Sequence, residues 1–153
     1  MKYLMVCHGN ICRSPMAMGL LRRKLEQIGS DSVVDSCGFE PYNMGVAPDK
    51  RAQKVLMKKD IDVSDHRARL FTEEDFDEFD HIFVMDRKNF TDIKARARNE
   101  EDMKKVQLLL DVVYPGEHLE VPDPYYGLEE GFRTTYAHVS GAAEAIVDIY
   151  EKK

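Results

Sequence analysis

Cys7 and Arg13 stand with five residues between them, and Ser14 and Pro15 follow at once. A cysteine thiolate is a strong nucleophile, and a guanidinium can hold two oxygens of one anion. Set at the two ends of a short loop between a strand and a helix, they define a place for a tetrahedral oxyanion. Successive backbone N–H groups of such a loop can curl inward as a nest. The helix N-terminus adds positive potential and unpaired donors. The candidate phosphate-binding run is His8-Gly9-Asn10-Ile11-Cys12-Arg13-Ser14. Gly9 lets the backbone approach closely, and Asn10 tolerates the left-handed conformation that a tight curl demands. The Ser14 hydroxyl can donate to the Cys7 sulfur. Donors, helix end and Arg13 together favour the thiolate, placed for in-line attack at a bound phosphorus. Departure of a phenolate or alkoxide then needs an acid from the opposite side.

The elements that must position these groups are legible around them. Tyr3-Leu4-Met5-Val6 reads as a buried strand that ends on Cys7. A helix should start with Ser14 as N-cap and Pro15 at its first position. Met16, Leu20, Leu21, Leu25 and Ile28 form its apolar stripe, and Gly29 stops it. Val33 to Gly38 reads as a second strand, followed by a loop from Phe39 to Pro48 and a helix over 49–59 with Ala52, Val55 and Leu56 inward. Thr72-Glu73-Glu74-Asp75 looks like a helix start with a capping residue. His81 to Asp86 is a buried strand, with a polar helix over 87–98 after it, and Val106 to Leu110 is a fourth strand. A closing helix runs from Glu129 to Tyr150. Alternating strands and helices predict a three-layer α/β sandwich, with a central parallel four-stranded sheet and helices on both faces. In such folds ligands sit at the carboxyl ends of the strands, where Cys7 to Ser14 lies. No repeat or linker interrupts residues 1–153, so one domain is expected.

Bulk properties narrow the function. The 153 residues carry 43% hydrophobic and 33% charged side chains, ordinary for a globular protein. A net charge of −6 argues against nucleic acid or an anionic membrane as partner, so an anionic ligand must be recognised locally. Three cysteines without a secretory leader do not make a disulfide framework, and the cytoplasm is the expected compartment.

The run Val6 to Pro15 resembles the phosphate loop of the low-molecular-weight protein tyrosine phosphatases. The resemblance continues through Asp35-Ser36, Gly45 with Pro48-Asp49, His66-Arg67-Ala68-Arg69 and Met85-Asp86, and ends at Asp123-Pro124-Tyr125-Tyr126-Gly127. It implies a flavodoxin-like sandwich that hydrolyses phosphotyrosine in proteins through a phosphocysteine, as a monomer, without metal or organic cofactor. Inorganic phosphate would be its product and a competitive ligand. Asp123 would protonate the leaving oxygen and then activate water. Ser36 and His66 would hold Asn10, with Ser14 also supporting the loop. His8, Ile11, Tyr42 and Tyr125 would wall a slot deep enough for phosphotyrosine. His8 stands where the family often has an apolar residue, and Tyr42 where a larger aromatic is common. The related arginine-phosphatase branch carries Thr at the position of Ile11.

Plainer readings compete at several positions. Cys7 can be a core thiol, and Asp123 a turn residue. Cys12 is either packing or a resolving thiol that traps oxidised Cys7 as a disulfide. Cys37 reads as core. A zinc site from Cys7, Cys12, Cys37 and His66 fits ordinary ligand spacing poorly. His66 beside Arg67 and Arg69 can be a surface cluster. Tyr126 reads as packing, and it and Tyr125 as possible phosphate acceptors. The acidic stretch 73–80 and the mixed-charge run 94–105 read as solvated helix faces. Two other functions stay open: a phosphatase for phosphoarginine or a small metabolite, and a non-catalytic phosphotyrosine-binding module.

Overall fold

The computed structural model of the chain describes residues 1–152. Four strands, β1 (Lys2–Val6), β2 (Val33–Cys37), β3 (His81–Val84) and β4 (Val106–Leu108), form one sheet in the order β2-β1-β3-β4. Every neighbouring pair is parallel. The helices are α1 (Arg13–Gln27), α2 (Lys50–Met57), α3 (Glu74–Glu78), α4 (Arg87–Lys94), α5 (Glu100–Lys104) and α6 (Glu129–Ile146).

β1 shows why there are three layers. Its side chains alternate across the sheet, and both sides are buried. Tyr3 and Met5 enter a core with Met16 and Leu21 of α1, Leu56 of α2, and Phe132, Val139 and Ile146 of α6. Leu4 and Val6 enter the opposite core with Phe76 of α3, Ile82 and Val84 of β3, and Ile93 of α4. A continuous apolar run is what a strand covered on both faces requires. The chain leaves β1 with β2 on one side and β3 on the other, so the carboxyl end of β1 opens at the switch point of the sheet.

Several boundaries differ from the sequence expectation, each for a tertiary reason. α1 begins at Arg13, with Cys12 at the N-cap and no side-chain cap bond, so Ser14 is not the cap. Its hydroxyl is engaged by Cys7 and Asn10 instead. Pro15 sits third in the helix rather than first, which costs no hydrogen bond because that N–H also lacks an intrahelical acceptor. Gly29, at φ +66°, does end the helix, but Ile28 falls beyond the last turn and is exposed rather than part of the stripe. β4 stops at Leu108, and a 3₁₀ turn over Leu109–Val112 directs Leu109, Leu110 and Val112 into the α1/α6 core. The helix expected over 87–98 ends at Lys94, and α5 restarts behind Asn99, whose side chain accepts from Asp102 N. Thr72 does not cap α3; its N–H donates to Asp75 Oδ2 at 2.8 Å. Nor are the charged runs simply solvated. Asp75 is buried against Arg69, and Asp102 is buried against Arg98, which also pairs with Asp77. After Ile146 the closing helix widens into a π-turn over Val147–Glu151.

Candidate active site

Cys7 extends β1 by one residue, donating its N–H to Cys37 O at 3.3 Å, and its side chain is buried. The loop then doubles back on the sulfur. Cys7 Sγ accepts the Asn10 N–H at 3.2 Å and lies 3.0 Å from Ser14 Oγ. This return requires Asn10 to be left-handed, at φ 55°. Its side chain is held at every polar atom. Asn10 Nδ2 donates to Ser14 Oγ at 2.8 Å and to Ser36 Oγ at 2.9 Å. Asn10 Oδ1 accepts from Arg69 N at 3.1 Å and lies 3.1 Å from His66 Nε2. An amide oxygen only accepts, so that contact puts the ring proton on Nε2. Ser36 Oγ is also 3.1 Å from the same nitrogen. Because Ser14 Oγ already accepts from Asn10, its own proton is free to point at Cys7. Burial pushes His66 below the ordinary histidine range, with Arg22 and Arg69 acting in the same direction against Asp35 and Asp65.

The loop carbonyls are drawn outward, which turns the N–H groups in. Phe39 N donates to His8 O at 2.8 Å, Asn43 Nδ2 to Gly9 O at 3.1 Å, and Asp49 N to Ile11 O at 2.8 Å. Gly38 closes this wall. A Cβ there would lie 2.7 Å from His8 O and 2.9 Å from Cys7 O.

Arg13, buried at the far end of the loop, is braced before any ligand arrives. One terminal nitrogen donates to Asp86 Oδ2 at 2.7 Å and to Val121 O at 2.9 Å. The other lies 3.7 Å from Asp123 Oδ2. Burial opposes its charge, yet Cys7, Asp86 and Asp123 together hold its guanidinium above the usual arginine value. Asp86 is itself placed by its role as N-cap of α4, in a capping box with Asn89. Asp123 lines the same cavity as Cys7, its Oδ1 accepting from Tyr125 N at 3.1 Å.

These groups enclose a cavity of about 490 Å³ whose lining includes Cys7, His8, Ile11, Tyr42, Asp123 and Tyr125. Tyr42, 90% exposed, forms an upright edge. Tyr126 is 93% exposed and meets Tyr125 edge to face, so it is a mouth residue rather than packing. His8 Nε2 is 3.5 Å from Glu40 Oε2 on the same rim. All three cysteines are free. Cys12 lines the cavity floor, and burial raises its thiol well above the ordinary value, as it does for the enclosed Cys37. Among the described residues no group of three or more His, Cys, Asp or Glu is arranged to hold a metal ion. Sequence reasoning assigned no part to Asp86, Gly38, Asn43, Glu40 or Arg51. Asp86 left one signal, an acid directly between a buried strand and a helix.

A parallel sheet that delivers one thiol to the bottom of a backbone nest, with an acid in the same cavity, is the design of cysteine-dependent phosphatases. The chain belongs to one family of them, the low molecular weight phosphotyrosine protein phosphatases, whose family model matches residues 2–153. The Schizosaccharomyces pombe low molecular weight phosphotyrosine protein phosphatase is 40% identical over 136 residues, 87% of this chain and 86% of that one. The protein tyrosine phosphatase of Entamoeba histolytica, solved with Hepes in its active site, superposes with a TM-score of 0.91 at 33% identity, covering 99% and 97% of the two chains. The Drosophila arginine phosphatase superposes with a TM-score of 0.92 at 31% identity, covering 100% and 99%. Among the described residues no helix is long and apolar enough to cross a membrane.

Proposed function

We propose that the chain is a cytoplasmic phosphotyrosine phosphatase that works through a phosphocysteine on Cys7, with residues 1–153 forming one catalytic domain. The observation that carries this reading is the environment of one sulfur: Cys7 Sγ is met by Asn10 N–H and Ser14 Oγ at the floor of a cradle whose other end is Arg13. In the first step the sulfur forms a bond to phosphorus and the bond to the tyrosine oxygen breaks. Asp123 gives its proton to that oxygen. In the second step the Asp123 carboxylate takes a proton from water, the new oxygen–phosphorus bond forms, and the sulfur leaves as thiolate with inorganic phosphate released. Backbone donors and Arg13 hold the equatorial oxygens throughout. Phosphotyrosine-containing proteins are the substrates. The cavity rim of Ile11, Tyr42 and Tyr125 suits an aryl ring. The likeness to an arginine phosphatase supports a second reading, phosphoarginine, in the same cradle.

Hydrolysis of phosphotyrosine, phosphoserine and phosphoarginine peptides side by side tests the reading. Phosphotyrosine should be turned over fastest. Cys7→Ser should abolish turnover yet keep competitive binding of inorganic phosphate. Asp123→Ala should slow turnover by about 10²–10⁴-fold, the usual worth of a proton shuttle. Retention of near-normal rates by Cys7→Ser, or preference for phosphoarginine, would overturn it.

A further inference from the structure

Arg13 joins the phosphate loop to the start of the acid loop, donating to Val121 O at 2.9 Å and lying 3.7 Å from Asp123 Oδ2, and a second side chain holds the acid loop beyond Asp123. Arg51, in the first turn of α2, donates from Nη2 to Tyr125 O at 2.9 Å and from Nη1 to Gly127 O at 3.1 Å. Both carbonyls lie just beyond Asp123. The same guanidinium is clamped by Asp49, with Nε to Oδ1 at 3.1 Å and Nη2 to Oδ2 at 3.0 Å. Asp49 in turn donates its N–H to Ile11 O at 2.8 Å, inside the phosphate loop. Underneath, the Arg51 guanidinium rests over the Phe132 ring at 4.5 Å, and Phe132 is fully buried in α6. The Arg51 fork thus holds the acid loop directly and reaches the phosphate loop only through Asp49.

We infer that Arg51 is a positioning residue for proton transfer: it fixes where Asp123 stands relative to Cys7, and it acts through the Tyr125 and Gly127 carbonyls rather than on the substrate. The inference rests on the reading of Asp123 as the acid. It explains why the acid can sit on an irregular, Pro-flanked segment and still share a cavity with Cys7. Beyond Arg13, which meets Val121 O and Asp123, the other described bonds of the turn Asp123–Gly127 are Tyr125 N to Asp123 Oδ1 and Gly127 N to Pro124 O. Loss of about 1 Å of alignment in such a pair costs on the order of 10²-fold in rate.

Leaving-group dependence in single-turnover phosphorylation of Cys7 separates positioning from general support. A dinitrophenolate leaves without protonation, whereas tyrosine needs the acid. Arg51→Met should slow release from a phosphotyrosine peptide by about 10- to 100-fold and from dinitrophenyl phosphate by less than about threefold. Competitive inhibition by inorganic phosphate should be unchanged within about twofold, because the bond from Asp49 N to Ile11 O is made by backbone and stays in place. Arg51→Lys, which keeps the charge beside Asp49 but cannot fork to two carbonyls, should fall between the two. Equal slowing of both substrates in either variant would overturn the inference. Asp123→Asn, run alongside, must show the same selective loss. If it does not, the assignment of the acid fails; if it does and neither Arg51 variant follows, only the positioning role fails.

Discussion

His66 holds Asn10 through one ring nitrogen, and burial keeps that ring neutral. The folded-state value lies below the unfolded one, so the unfolded chain takes up the proton first. The stability that neutral His66 contributes is therefore complete above about pH 6.5 and is lost as pH falls through the lower folded value. His81, also pushed down by burial and stacked on Tyr3 and Phe83, adds to the same decline. Urea midpoints for the native chain should drop across that range, and His66→Gln should show a shallower drop. Identical slopes for the two chains would contradict the contact. Legibility at this scale depended on where a residue's partners lie. Cys7, Asn10, Arg13 and Ser14 share one loop, so their chemistry could be read from spacing alone. Asp86 and Arg51 could not be read that way. Asp86 meets Arg13, and Arg51 meets the Tyr125 and Gly127 carbonyls, only after distant segments converge.

At the scale of elements, the end of β2 does as much for the cradle as the end of β1. Gly38 lies against the Cys7 and His8 carbonyls with no room for a methyl group. Gly38→Ala must push those carbonyls, and the inward N–H groups with them, out of place. The expected result is a loss of at least about 10²-fold in kcat/KM, with about 1–3 kcal/mol of stability. Urea unfolding and steady-state kinetics measure the two, and an unchanged kcat/KM would show that the wall is not set by this contact. β1 and β3 were legible because both their faces are apolar, and α2 because Ala52, Val55 and Leu56 repeat at helical spacing, although Asp49 proves to be its cap and the helix ends at Met57 rather than Lys59. The break between α4 and α5 was not. Arg98 leaves the helical path to pair with Asp77, which precedes it in the chain by a strand and a helix. Ser14 misled for a related reason, since a hydroxyl suited to capping found a better partner in the sulfur.

For the molecule as a whole, a net charge of −6 repels the anion that the site must hold. In the proposed function recognition falls to the nest, the α1 N-terminus and one buried arginine, all at the switch point of the sheet. The three-layer architecture was readable from the alternation of strands and helices, because a strand covered on both faces needs helices on both sides. The approach of Asp123 to Arg13 was not, because it depends on Val121 meeting Arg13 and Met85 across distant parts of the chain. In the proposed reaction Cys7 itself carries the phosphoryl group. The direct measurement is rapid quenching of the Asp123→Ala variant with dinitrophenyl phosphate labelled in its phosphate, whose leaving group needs no proton, followed by mass spectrometry of the proteolytic fragments. A phosphorylated fragment spanning Cys7 is expected, with the group on sulfur and absent from Cys7→Ser. Label on His8, Cys12 or a tyrosine, with Cys7 unmodified, would contradict it.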